Sequence, residues 1–383
     1  MKAVHFGAGK IGRGFIADLL HETGYEITFI DVNEPLVQEL NTYHNYYLYV
    51  IEEDYRRKEI NQVSGLSPVT DPEAAVRAIQ EADLVTTAVL ADNFPKIAGT
   101  LAAGLKARLS AGGEKLNVIP CENALLCGDM LKRELVGTGT LSEEELERIA
   151  AIPNTAVDRM VFGCSRDNRD GIDIGVDHEL VIEADKLARA GEEPIKGAVY
   201  TTNLQKYLER KLYAINGGHA WSGYMAHLMG YEIIQDYFAK AENVELTKAV
   251  MREISALLEK KWGFTHEDMM GYIDFAVNRF LTPGITDTVS RISRAPIRKL
   301  GAKDRLVGPA VQCAEYGLSN DLLTKGIAAA FLFDVKEDAQ SVELLSFVKE
   351  HGIREAIAKY TGIPEGSETF EKIAGQYERL KEK

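Results

Sequence analysis

Long apolar runs are missing from this sequence: no stretch approaches the roughly 18 residues that cross a bilayer, which excludes a membrane-spanning helix. Cysteine is scarce. The four in 383 residues, Cys121, Cys127, Cys164 and Cys313, form neither CxxC pairs nor a dense even framework. They read as free thiols in a reducing compartment, most simply as small buried apolar residues. Positive charge is in deficit, with 44 Lys and Arg against 58 Asp and Glu and a formal net charge of -14. That field repels nucleic acid and anionic membranes, so neither is expected as a partner, and an anionic ligand must find a locally basic patch. The eight histidines contain no HxxxH or HExxH and have no neighbouring cysteine set, so no metal site is expected. The opening MKAVHFGAGKIG passes straight into a strand and glycines, leaving no room for a cleavable leader. A cytoplasmic protein is the expectation.

What is present is organisation on two scales. The length suits two domains, each with its own core. Short apolar runs alternate with amphipathic segments in the first part: AVHFGAG, a helix from Ile11, EITFIDV, a helix from Glu34, LVTTAVL, FPKIAGTLAAGLKARL, LNVIPC, and a helix from about Asn123. This is the grammar of βαβ units. YYLYVI and RRKEINQV look like a β excursion, and RMVFGC and HELVIEA flank the turn-rich SRDNRDGIDIGVD. From about Thr201 onward helical periodicity dominates. Glycine and proline in GEEPIKG place the division near residue 190, giving domains 1–190 and 191–383.

Gly7-Ala8-Gly9-Lys10-Ile11-Gly12 fits GxGxxG, follows an apolar strand and opens a helix. The first glycine allows the tight turn, the second admits a pyrophosphate against backbone, and the third lets helix meet strand. About twenty residues on, Asp31 ends the next strand, placed to accept hydrogen bonds from ribose hydroxyls. A carboxylate there repels a 2′-phosphate, and Val32 and Asn33 bring no arginine, so NAD is expected rather than NADP. The cofactor segment is taken as Ala3, Val4, His5, Phe6, Gly7, Ala8, Gly9, Lys10, Ile11, Gly12, Arg13 and Gly14, with Asp31. Arg13 reads equally as a phosphate contact or as a solvated surface charge.

RKLYAINGGHA places Lys211, Asn216 and His219 around two glycines. On a regular helix Asn216 lies about 140° around from Lys211 and His219 about 80°, one broad face. Gly217 and Gly218 each cost a helix about 1 kcal/mol against alanine, so close ligand approach or close helix packing must favour them. A dehydrogenase acting on an alcohol needs a base for the hydroxyl proton and donors for the developing oxyanion. Lysine serves as base if burial and positive neighbours depress its pKa, and amide and imidazole N–H groups serve as donors. The plainer alternatives are a surface lysine, a capping asparagine and a packed ring.

On these residues the chain resembles the polyol-specific long-chain dehydrogenases (mannitol dehydrogenases): K-x4-N-x2-H is their pattern, and GAGKIGRGF is similar to the branch acting on mannitol 1-phosphate. The likeness covers nearly the whole chain. It implies an α/β fold, with an N-terminal Rossmann-type doubly wound sheet carrying added β strands, followed by a mostly α-helical C-terminal domain. It further implies metal-independent, NAD-dependent exchange between mannitol 1-phosphate and fructose 6-phosphate, in a monomer or dimer, with Lys211 as general acid/base. Asn216 and His219 then orient the reacting oxygen, Asn123 works with the lysine, and Asp158 binds substrate hydroxyls. Without the likeness, Asn123 reads as a helix cap and Asp158 as half of a surface ion pair with Arg159.

RISRAPIRKLGAKDR carries six basic residues against one acid. Relatives acting on unphosphorylated mannitol have R-x2-H-x4-K here. Arg291 and Lys299 match that pattern, while Arg294 replaces the histidine and offers a fork suited to phosphate. A solvated face is the alternative. Three other functions stay open: a mannitol 2-dehydrogenase, a fructuronate or tagaturonate reductase, and an NADH-sensing regulator without turnover.

Overall fold

Val4 and Phe6 point to one face of the first strand and Ala3 to the other, as the two-residue period of a strand requires. Val4 and Phe6 join a core cluster with Ile79, Val85, Leu101 and Leu131, and Ala3 joins another with Phe15, Leu19, Ile27 and Ile172. Burial on both faces is what a central parallel strand needs, and it explains the nearly unbroken apolar run.

The computed structural model describes residues 1–166, 169–282 and 286–382. Two residues of the expected turn, Asp167 and Asn168, lie outside the described residues. The chain splits into two units, Met1–Tyr207 and Leu208–Lys383. In chain order the strands are β1 (Lys2–Phe6), β2 (Glu26–Ile30), β3 (Asn45–Val50), β4 (Arg56–Asn61), β5 (Val63–Leu66), β6 (Leu84–Thr87), β7 (Leu116–Pro120), β8 (Ala150–Ala151), β9 (Thr155–Arg166), β10 (Arg169–Glu183) and β11 (Val199–Thr201).

The first unit is built on a sheet of order β5-β2-β1-β6-β7-β8, parallel throughout. This is the doubly wound order of nucleotide-binding α/β folds, and its direction of winding reverses between β1 and β6. Ligands of such sheets sit at that reversal, beyond the carboxyl ends of the strands. The β excursion forms a second sheet, β11-β10-β3-β4, with β9 antiparallel to β10. Its last strand moves the end of this unit past residue 190. β11 pairs with β10 from Val181↔Val199 to Glu183↔Thr201, Ile195 is fully buried, and the Tyr25 hydroxyl donates to the Pro194 carbonyl at 3.0 Å.

The second unit is helical. Its longer helices are Asn216–Leu228, Ala241–Trp262, His266–Phe280, Asp321–Ala330, Ala339–Thr361 and Glu368–Lys381. Trp221 is buried without exposed surface, and its indole N–H donates to the Leu322 carbonyl at 2.7 Å. Its ring lies on Gly326, where a Cβ would stand 2.0 Å from Trp221 Cδ1. Among the described residues no helix is long and apolar enough to cross a membrane.

Candidate functional site

The glycine-rich turn sits at the reversal of the sheet. Gly7 has φ of 96°, and a Cβ there would meet the Ala88 carbonyl oxygen at 2.5 Å, just past the end of β6. A Cβ on Gly12 would lie 1.9 Å from the Gly7 carbonyl oxygen, so helix and turn touch through backbone alone. Gly9 has nothing within 4 Å of its Cβ position. The turn therefore offers open backbone where a pyrophosphate needs it, and the residues fit a dinucleotide. Asp31 binds this turn to the end of β2. One carboxylate oxygen accepts from the Ala8 N–H at 2.6 Å and the other from the Asn33 N–H at 2.9 Å. Each oxygen keeps a lone pair for a ribose hydroxyl.

The other cofactor-segment residues fall into two groups. Gly9, Lys10 and Ile11 are exposed, whereas Gly12 and Gly14 are buried. Ala3, Val4, His5, Phe6 and Ala8 are also buried, so their side chains support the turn from beneath and do not reach a ligand. His5 bonds Thr86 through Nδ1 at 2.6 Å, and burial drives its pKa down to about 3, so it is neutral. Arg13 is a correction to the surface-charge alternative: it is 9% exposed. Its Nε donates to the Ala8 carbonyl at 2.8 Å, its guanidinium lies over the Tyr46 ring, and the Tyr46 hydroxyl donates to its carbonyl.

In the second unit the segment carrying Lys211 departs from a regular helix. Lys211–Ile215 is a π-turn, and the Asn216 N–H donates to the Lys211 carbonyl five residues back. Asn216 thus occupies the position above Lys211 that a residue four along holds in an α-helix. One extra residue converts the i, i+5, i+8 spacing of Lys211, Asn216 and His219 into the equivalent of i, i+4, i+7. Those positions share a single narrow stripe. The regular-helix angles of 140° and 80° are thereby corrected: the three side chains are better aligned than their numbering implies.

The turn is braced on both sides. Glu209 accepts from Lys261 Nζ at 2.8 and 3.0 Å and from the Trp262 indole at 2.7 Å. Lys261 also donates to the Gln312 side-chain oxygen at 2.7 Å, and the Gln312 amide donates to the Tyr213 hydroxyl at 3.0 Å. The paired glycines serve packing. A Cβ on Gly217 would meet the Arg305 carbonyl oxygen at 2.7 Å, and one on Gly218 would meet Met251 Cγ at 2.8 Å. His219 is half-buried and stacks on Phe280 at 4.5 Å and 11°. Burial first, then the charges of Arg291, Arg279 and Lys299, outweigh Asp287 and push its pKa down to about 4. A neutral imidazole has one N–H to donate.

The basic run is less uniform than its composition. Arg291 is paired with Asp287 and Arg305 with Asp304. Lys299 is 3% exposed, and its ammonium donates to the carbonyls of Ile292, at 2.7 Å, and Arg294. Burial first, then Arg305, Arg298 and Arg294, lower its pKa to about 7. Asp338 accepts from the Ala295 N–H at 2.6 Å, where the backbone is left-handed with φ of 57°. Arg294 is exposed and enters no ion pair among the described residues, so it projects from a turn whose backbone is gripped on both sides.

Asn123 is exposed just beyond the carboxyl end of β7. The following helix starts only at Cys127, so Asn123 is not its cap. Asp158 lies on β9 opposite Glu179. Its neighbour Arg159 faces the other way and pairs with Asp18 at 2.7 Å, both side chains 4% exposed. Arg159 is thus held in a buried pair with Asp18 and is not the surface charge expected beside Asp158. Among the described residues no group of three or more His, Cys, Asp or Glu gathers as a metal ligand set.

Residues 1–196 match the mannitol dehydrogenase Rossmann domain and residues 203–381 the mannitol dehydrogenase C-terminal domain. The chain belongs to the mannitol dehydrogenase family. Family members with curated names include the mannitol-1-phosphate 5-dehydrogenase of Caldanaerobacter subterraneus, 37% identical over 100% of this chain and 99% of that protein. That of Brevibacillus brevis is 39% identical, again over 100% and 99%. Among solved structures, a substrate-free D-sorbitol dehydrogenase has a TM-score of 0.84 at 18% identity, covering 99% of this chain and 93% of its own. The Pseudomonas fluorescens mannitol 2-dehydrogenase ternary complex with NAD and D-mannitol has 0.67 at 17%, covering 100% and 92%. These two show that the fold is that of the mannitol dehydrogenases.

One residue of this family member has no sequence signal beyond its place after an apolar strand. Glu122 is 4% exposed and accepts from the Thr87 hydroxyl and the N–H groups of Val89 and Leu90, each at 2.9 Å. It ties the end of β7 to the loop after β6.

Proposed function

We propose that this protein is an NAD-dependent oxidoreductase that interconverts D-mannitol 1-phosphate and D-fructose 6-phosphate without a metal. It would act in the cytoplasm, as a monomer or dimer, on a small phosphorylated polyol or sugar. The observation that carries this function is the alignment of Lys211, Asn216 and His219 on one stripe by the π-turn, in a family whose full-length relatives include curated mannitol-1-phosphate 5-dehydrogenases.

Bound NAD supplies the acceptor for hydride, and NADH the donor. The Gly7–Gly14 turn presents backbone N–H groups to the pyrophosphate, and Asp31 takes the ribose hydroxyls and disfavours a 2′-phosphate. Lys211 takes the hydroxyl proton as a polyol is oxidised and returns it as a ketose is reduced. Asn216 and the neutral imidazole of His219 donate hydrogen bonds to the reacting oxygen, spreading the charge that develops there. Asn123 joins them at that oxygen, and Asp158 accepts from substrate hydroxyls. Arg294 takes the phosphate through its planar fork, while Arg291 and Lys299 add positive potential beside it.

The test is to mix purified protein with NADH and fructose 6-phosphate and follow the nicotinamide absorbance, with fructose, fructuronate and tagaturonate in parallel. Decay with fructose 6-phosphate well above the others is expected. Decay only with an unphosphorylated sugar would shift the assignment to a mannitol 2-dehydrogenase or a hexuronate reductase. NADH binding without decay would indicate a sensor.

A further inference from the structure

Leu90 has φ of 70° and ψ of 132°, a backbone conformation that side-chain-bearing residues rarely adopt. It is also 72% exposed, so burial of the leucyl group does not offset the strain. The surrounding loop is nevertheless tightly fixed. The carboxylate of Glu122 accepts from the N–H groups of Val89 and Leu90 at 2.9 Å each. The Asn93 amide donates to the Val89 carbonyl at 2.7 Å, and the Asn93 N–H donates to the Leu90 carbonyl at 2.8 Å. The loop adjoins the glycine-rich turn: the Cβ position of Gly7 lies 2.5 Å from the Ala88 carbonyl oxygen and 3.0 Å from Val89 Cγ1.

A glycine at position 90 would satisfy this backbone without strain. The leucine instead holds an apolar side chain in solvent at the reversal of the sheet, where the ligand of such folds lies. We propose that Leu90, held in its strained conformation by buried Glu122, packs its side chain directly against the bound dinucleotide. Ribose and nicotinamide present apolar faces, and covering one leucyl side chain is worth about a factor of ten in affinity.

The proposal rests on the first unit binding NADH, but not on any role of Lys211. Leu90→Gly and Leu90→Ala both remove the side chain, and only the first relieves the strain. NADH affinity is read by fluorescence titration and stability by thermal melting of the unliganded protein. Both variants are expected to bind NADH about tenfold more weakly, and the Gly variant to melt above the Ala variant. Glu122→Gln is expected to weaken NADH binding as well, since the amide keeps one acceptor oxygen and sets an NH2 donor against one of the two N–H groups. Retention of NADH affinity within about twofold by both Leu90 variants would overturn the packing role. A Gly variant melting at or below the Ala variant would overturn the strain. Failure of the unaltered protein to bind NADH would instead remove the dinucleotide reading itself.

Discussion

The backbone N–H of Asn216 donates to the carbonyl of Lys211, five residues back and not four. The bond is made by main-chain atoms, so the alignment of the two side chains does not depend on what residue 211 carries.

Lys211→Ala should therefore leave the stripe in place and remove only the amine. Turnover with fructose 6-phosphate is expected to fall by roughly 10²–10⁴-fold, the usual contribution of a general acid/base. NADH affinity and melting temperature should stay close to the parent values. Steady-state kinetics beside a fluorescence titration separates the two effects. Parallel loss of turnover, binding and stability would mean that the lysine supports the fold.

Arg294→Ala should act on the substrate and not on the scaffold, because Lys299 and Asp338 grip the backbone of that turn without needing the arginine side chain. A charge-assisted hydrogen bond is worth roughly 1.5–3 kcal/mol, so kcat/KM for fructose 6-phosphate should drop about 10- to 150-fold. Any activity on fructose should scarcely change. Arg294→Lys is expected to recover part of the loss, since it restores the charge but not the fork.

Acid should destabilise the protein through its histidines. Unfolded histidines take up protons near pH 6.5, whereas the folded protein resists until about 4 at His219 and about 3 at His5. The unfolded chain binds more protons across that interval, so stability is intact above about pH 6.5 and declines as pH falls through it. Urea unfolding at pH 7 and pH 5 measures the decline, and His5→Gln should flatten it more than His219→Gln because His219 is only half-buried. A parent protein as stable at pH 5 as at pH 7 would rule out this account.

The two glycines after Asn216 should respond differently to alanine. Each substitution gains about 1 kcal/mol of helix propensity. At Gly218 the added methyl meets Met251 Cγ, close to the root of a fully buried side chain, so that side chain must shift within the core. At Gly217 it meets the Arg305 carbonyl, which is backbone. Overpacking costs about 1–3 kcal/mol, so both substitutions should lower the melting temperature, Gly217→Ala by more because a backbone carbonyl yields less than a side chain. Equal effects would show that the carbonyl contact is soft.

The glycine turn, Asp31 and the alternation of strands and helices were legible because each follows from local backbone needs. A positive φ, a tight helix–strand approach and a two-residue period all leave marks in consecutive residues. The stripe of Lys211, Asn216 and His219 was visible as a spacing, but its true alignment was not. The π-turn is held by Glu209, Tyr213, Lys261, Trp262 and Gln312, and the last three lie far along the chain from Lys211. The burial of Arg13 was equally unreadable, since Tyr46 comes from a strand of the second sheet. Glu122 gives no local sign because its partners, Thr87, Val89 and Leu90, belong to another strand and its loop. The division between units falls later than the glycine and proline of GEEPIKG suggest, because the three-residue strand Val199–Thr201 carries too little pattern to be read.

At the turn before Pro296, the ammonium and carboxylate of two buried or half-buried side chains hold main-chain atoms, and the exposed guanidinium takes no part in that grip. Under the proposed function, a codon change at position 294 would alter which ligands are accepted without disturbing how the polypeptide folds. On that reading, substrate repertoire would drift there by single steps, with the residues of the Lys211 stripe left untouched.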